Sequence, residues 1–122
     1  MQGVLAMPSR RHILRAALAL PGLWLARPPA AAQPRTHEVG MVLFSYQPAR
    51  IEIAAGDSVR WTNSDAIPHS ATAAQSDPAG APLFDTGLFG KGESREVTFP
   101  APGRFAYACR RHPAMTGEVI VR

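Results

Sequence analysis

A thiol, an imidazole and a thioether fall within the seven residues Cys109-Arg110-Arg111-His112-Pro113-Ala114-Met115, spaced Cys-x2-His-x2-Met. A second imidazole, His69, stands upstream in Pro68-His69-Ser70. Sulfur is a soft donor and imidazole suits copper, so this set selects copper over hard cations. Two His, one Cys and a weak axial Met are the donors of a blue-copper site, which passes single electrons. The mixture suits both Cu(I) and Cu(II), so an electron enters or leaves with little ligand movement. Taken one at a time, the residues say less. Short Cys/His spacings also occur in zinc sites. Cys109 alone reads equally as a buried small hydrophobe, and Met115 as core filler. His69 alone reads as a surface loop histidine. Together, with Cys109 ending a predicted strand, the four carry the copper reading. His37 has no such company and reads as a solvated residue.

The elements that must position these residues are strands. Thr36 to Phe44 is β-rich, with Val39, Met41 and Leu43 on one face and Val42 and Phe44 on the other. Arg50 to Ala54 alternates apolar and polar, as a half-buried strand does. Ala55-Gly56-Asp57 is a turn, and Ser58 to Asn63 alternates again with Val59 and Trp61 inward. Ser64 to Pro68 is a loop delivering His69, and Ser70 to Ala74 is a short strand. Gln75 to Pro82 is an exposed loop. Glu93 to Phe99 and Arg104 to Cys109 are further strands, the second with Phe105, Tyr107 and Cys109 on one face. Thr116 to Val121 closes the chain. Seven or eight short strands separated by turn signals, with no helical pattern after residue 32, predict an all-β Greek-key sandwich. The Gly-rich turn at Phe89 to Gly92 does not lead from a strand into a helix, which argues against a phosphate loop.

The net charge of +4 is unevenly distributed. Arg10, Arg11, Arg15 and Arg27 lie in the first 32 positions, where there is no acidic residue. From Gln33 onward nine Arg and Lys face nine Asp and Glu, so nothing in the charge suggests nucleic-acid binding. Ser9 to Arg15 forms a basic head and Ile13 to Ala26 an interrupted apolar run. Ala30-Ala31-Ala32 offers a small-residue cleavage site. This layout predicts a signal peptide over residues 1–32, and Arg10-Arg11-His12-Ile13-Leu14 resembles a twin-arginine export signal. The apolar run is short for a bilayer span, so no stable membrane insertion is expected. The domain then covers residues 33–122, in the periplasm. Cys109 is the only cysteine. In an oxidising compartment it must be buried, metal-bound or paired with another chain.

Several stretches together resemble the small cupredoxins of the plastocyanin, pseudoazurin and amicyanin group. They are Ala55 to Asn63, Pro68-His69, Phe84-Asp85-Thr86-Gly87, Pro102 to Cys109, His112-Pro113 and Met115-Thr116-Gly117, in the family's order. The resemblance implies a copper-binding electron carrier on an eight-stranded β-sandwich, with His69, Cys109, His112 and Met115 as ligands. The short His-to-Met interval looks most like amicyanin, since the other two groups have a longer one. Family members often carry Asn after the first histidine, where it ties the two ligand loops together. Here the position is Ser70, whose backbone N–H remains able to donate to the Cys109 sulfur.

Three functions compete. The first is a monomeric electron carrier exchanging electrons with redox proteins such as a dehydrogenase, a cytochrome or an oxidase. The second is copper delivery or storage, which usually goes with Met-rich or His-rich tracts, whereas the Met residues here are scattered. The third is a copper enzyme. That needs further His clusters, and only His37 is left over in the domain. The reading is therefore a non-enzymatic electron carrier binding one copper ion.

Overall fold

Alternation of apolar and polar residues dictates the architecture. In the computed structural model, residues 33–122 and Gly3 are described, and residues 33–122 form two four-stranded sheets. The expected signal peptide lies outside the described residues, Gly3 apart. The strands are β1 (Thr36–Val42), β2 (Ser45–Gln47), β3 (Arg50–Ile53), β4 (Ser58–Asn63), β5 (Thr72–Ala73), β6 (Ser94–Thr98), β7 (Gly103–Ala108) and β8 (Thr116–Val121). One sheet has the order β2-β1-β4-β6 and the other β3-β8-β7-β5. Among the described residues there is no helix, and the all-β sandwich predicted from the alternation is what forms.

Each strand turns every second side chain to the interior. Val39 and Met41 on β1, and Val59, Trp61 and Asn63 on β4, are fully buried. Burying a Val or Met contributes about 1.5–3 kcal/mol, while fixing one inward and one outward residue costs roughly 2–4 kcal/mol in backbone entropy. Burial alone therefore about breaks even, and the ladders with their outward side-chain pairs must supply the margin. On the outer face Ser58 bonds Thr98 at 2.8 Å and Thr62 bonds Ser94 at 2.7 Å across β4 and β6. Arg60 pairs with Glu38 across β4 and β1.

Two parallel pairings set the sandwich. β1 runs parallel to β4 in register Thr36↔Ser58 through Met41↔Asn63, and β3 runs parallel to β8. A parallel neighbour cannot be reached by a tight hairpin. Accordingly, every connection from β2 to β7 changes sheet. Between the sheets, Trp61 stacks on Phe84 at 5.8 Å and meets Tyr107 edge-on at 5.4 Å. Tyr107 in turn lies over its register partner Gly117, where an added Cβ would sit 2.4 Å from the tyrosine ring. Trp61 is a core residue, as its inward phase predicts.

β1 is shorter than the β-rich run Thr36 to Phe44 suggests. The strand stops at Val42 rather than continuing to Phe44. Leu43 and Phe44 form a two-residue turn into β2, with φ of 49° and 59°. Left-handed φ at both positions is the geometry of a tight hairpin turn, which normally takes Asn-Gly. Two bulky apolar residues in a β-rich run carry no such signal. Leu43 is consequently 80% exposed rather than sharing the buried face of Val39 and Met41.

Candidate metal centre

Two chain segments converge at the end of the sandwich where β1, β4 and β7 finish. The first leaves β4 at Asn63. Asn63 holds an inward position with a polar side chain, and it spends that side chain on the backbone. Its Nδ2 donates to the Ile67 carbonyl at 2.9 Å and the Phe89 carbonyl at 3.0 Å, and its Oδ1 accepts from the Asp65 N–H at 2.8 Å. The loop is thereby closed on itself, and His69 pairs by a two-way backbone bridge with Phe89. His69 is fully buried.

The second segment is the β7–β8 connection. Cys109 follows the last residue of β7 and Met115 precedes the first of β8. The turn is closed from within: Cys109 N–H donates to the Met115 carbonyl at 3.1 Å, and Met115 N–H to the His112 carbonyl at 2.8 Å. Cys109 and Met115 are both buried. His112 is half-buried.

The two segments bring three donors together. Nδ1 of His69 and Nδ1 of His112 each lie 3.6 Å from Cys109 Sγ, and the three donor atoms all fall within 4.8 Å of one another. Among the described residues this is the one such cluster of His, Cys, Asp and Glu. Burial pushes the Cys109 thiol up. The Ser70 N–H, His112, the Arg111 N–H and His69 outweigh it and bring the thiol down to about 6. A buried thiol made this acidic is a metal-ligand environment rather than that of an inert core cysteine. One thiolate and two imidazoles, with a buried thioether closing the loop, fit a copper ion by donor softness.

Ser70, at the position where the resemblance leads one to expect Asn, bonds to both segments. Besides its N–H toward the sulfur, its Oγ accepts from the Arg110 N–H at 3.0 Å, which ties the two ligand segments. Arg110 is also anchored through its guanidinium to Asp85. Beneath the site, the Tyr46 hydroxyl donates to the Ser70 carbonyl.

Two further residues belong to the site and escape a reading of the sequence. Asp65 Oδ2 accepts from His69 Nε2 at 2.8 Å. The same carboxylate accepts from the turn N–H groups of Leu43, at 2.7 Å, and Phe44, at 2.9 Å. Burial raises the Asp65 pKa, but the Phe44 N–H, His69 and the Leu43 N–H outweigh it and hold the carboxyl below its ordinary range. A left-handed non-glycine residue costs of order 1–3 kcal/mol, and a hydrogen bond to a charged group contributes about 1.5–3 kcal/mol. Asp65 thus offsets a turn that its own residues disfavour. The turn in its place sets the Phe44 ring edge-on to His69 at 5.3 Å and to His112 at 4.9 Å. An Asp in a polar loop and a Phe at the end of an apolar run look ordinary in sequence, because both roles depend on distant partners.

His37 is not simply solvated. Its Nε2 donates to Asp57 Oδ2 at 2.9 Å, at the opposite end of β1 from the cluster.

Comparison with known proteins agrees with this geometry. Residues 36–122 match the family described as copper binding proteins, plastocyanin/azurin family. Amicyanin-alpha of Methylorubrum extorquens is 33% identical over 84 residues, covering 69% of this chain and 70% of that protein. Chloroplastic plastocyanin of Tetradesmus obliquus is 38% identical over 84 residues, covering 63% of this chain and 58% of that protein. An oxidised amicyanin variant of solved structure superposes with a TM-score of 0.65 at 27% identity, covering 70% of this chain and 81% of its own. The chain belongs to the plastocyanin/azurin family of copper-binding proteins, and copper is its cofactor.

Proposed function

We propose that this protein is an exported electron carrier in which His69, Cys109, His112 and Met115 hold one copper ion. The observation that carries the reading is the convergence of two imidazole nitrogens on one buried thiol. Copper held there supplies a one-electron change between Cu(I) and Cu(II). Cys109 would hold the ion as thiolate, His69 and His112 would hold it through Nδ1, and Met115 would offer its thioether as a weaker donor. Half-buried His112 and half-exposed Phe44 make the edge at which an electron leaves toward a partner. The partner is a redox protein, either a dehydrogenase or cytochrome that donates or a cytochrome or oxidase that accepts. The protein acts as a monomer and carries no catalysis of its own. Residues 1–32 are the export signal and residues 33–122 the domain that works in the periplasm.

Visible absorption of the copper-loaded protein tests this. Thiolate-to-Cu(II) charge transfer gives an intense band in the red. A protein that binds Cu(I) tightly but shows no such band with Cu(II) would instead be a copper delivery or storage protein.

A further inference from the structure

Leu43 and Phe44 do not choose their own conformation. Neither is glycine, asparagine or aspartate, yet both have φ in the left-handed region. Their N–H groups point at a single carboxylate, Asp65, twenty-two and twenty-one residues away in the chain. That carboxylate has a third donor, His69 Nε2. Its side chain is 11% exposed and the imidazole it holds is fully buried. One acceptor group therefore joins the β1–β2 turn, the β4–β5 loop and a histidine whose other nitrogen faces the Cys109 sulfur.

An ionised carboxylate only accepts hydrogen bonds. The contact with Asp65 accordingly puts a proton on His69 Nε2, and Nδ1, 3.6 Å from the sulfur, is the nitrogen left to face a metal ion. A carboxylate behind an imidazole also makes the free nitrogen more electron-rich, which favours the more highly charged metal ion. Through the turn, the same group holds Phe44 against both imidazoles. Phe44 is 46% exposed, and the turn sets where its ring lies.

We propose that Asp65 is a positioning residue for the copper site: it fixes the His69 tautomer that presents Nδ1, and through the Leu43-Phe44 turn it holds the Phe44 ring against both histidines. This rests on the copper reading above, and extends it to a group that does not touch the metal.

The test is Asp65→Asn, which keeps the shape but removes the charge and one acceptor. An amide cannot accept from both turn N–H groups and from His69. In the metal-free protein, nitrogen-15 spectra should show His69 with its proton on Nε2, and Asp65→Asn should convert it to a mixture of tautomers. In the copper protein, Cu(II) affinity measured against a competing chelator should fall about tenfold to a hundredfold. Cu(I) affinity should fall less, so the reduction potential rises. To guard against simple misfolding, the same substitution is made in a Leu43→Asn, Phe44→Gly background, whose turn needs no clamp. The tautomer change and the Cu(II) loss relative to that background should persist. A wild-type His69 protonated on Nδ1, or an Asp65→Asn protein with unchanged tautomer and unchanged Cu(II)-to-Cu(I) affinity ratio, overturns the proposal. The tautomer measurement needs no metal, so it still judges Asp65 if the red absorption band is absent and the electron-carrier reading falls.

Discussion

The parallel pair β1 and β4 is bracketed by two clamps of the same design. At one end Asp57, just before β4, accepts from the Arg35 N–H at 3.0 Å, the Ala54 N–H at 3.1 Å and His37 Nε2 at 2.9 Å. At the other end Asp65, just after β4, accepts from the Leu43 N–H, the Phe44 N–H and His69 Nε2. Each is one carboxylate with two backbone donors and one histidine. The difference is in what lies beyond the histidine. His37 keeps 28% of its side chain exposed and has, among the described residues, no sulfur within hydrogen-bonding reach, whereas His69 is buried and meets the Cys109 thiol. The same local chemistry is thus structural at one end and site-forming at the other. Burial and a second ring nitrogen aimed at a soft donor make the distinction, not the Asp–His pair.

The strongest way to break the comparison is to remove the sulfur. Cys109→Ser should abolish the red absorption band and reduce Cu(I) affinity by several orders of magnitude, because a hydroxyl is a hard, weakly acidic donor. The fold should survive, since the hydroxyl inherits the Ser70 and Arg111 N–H donors around the sulfur. A Cys109→Ser protein that still bound Cu(II) with the same colour would show that the two clamps do not differ in the way described.

Asp57→Asn should do the reverse. It should lower the midpoint of thermal unfolding while leaving the absorption band and the reduction potential where they are. A shifted potential would mean that the far clamp reaches the metal end through β1 or β4.

Acid sharpens the contrast further. The Arg35 N–H, then His37 and the Ala54 N–H, hold the Asp57 carboxyl down to about 2 against the opposing effect of burial. Its value in the unfolded chain is the ordinary one, near 3.9. Because the folded value is the lower one, protonation favours unfolding. The stabilisation is fully present above about pH 5 and is lost as pH falls from there toward 2. Urea midpoints followed across that range should drop in the wild type and drop less steeply in Asp57→Asn. Parallel curves would exclude Asp57 as a source of acid lability.

The smallest effect expected is at Met115. Met115→Leu keeps the volume and the buried packing but removes the thioether, which stabilises Cu(II) more than Cu(I). The reduction potential should rise with little change in unfolding midpoint, and cyclic voltammetry beside a melting curve would show it. A potential indistinguishable from the wild type would make Met115 core filler.

The segment Cys109 to Met115, proposed above to supply three ligands, stands out in the sequence because it is local. Its thiol, imidazole and thioether sit within one turn, and that turn is closed by hydrogen bonds among the same residues. The strands are legible for a similar reason. A period of two in Val59, Trp61 and Asn63 or in Phe105, Tyr107 and Cys109 has one interpretation when a single face must be buried. Asn63 was readable in principle, since a polar side chain in the inward phase of a strand needs partners.

What tertiary structure alone decided is whatever depends on two distant backbones. How His69, already grouped with Cys109 from the sequence, comes within 3.6 Å of its sulfur rests on β4 and β7 ending at the same rim of the sandwich. That Ser70 ties the two segments rests on the Arg110 N–H coming within 3.0 Å of its hydroxyl. That His37 is clamped and the apolar pair Leu43-Phe44 turns left-handed rests on carboxylates held at the two ends of β4. A hydrogen bond is decided over ångströms, while propensity and periodicity speak only about neighbours along the chain. The donor set was therefore written in the amino-acid order, and the residues that orient it became visible only when the strands were laid side by side.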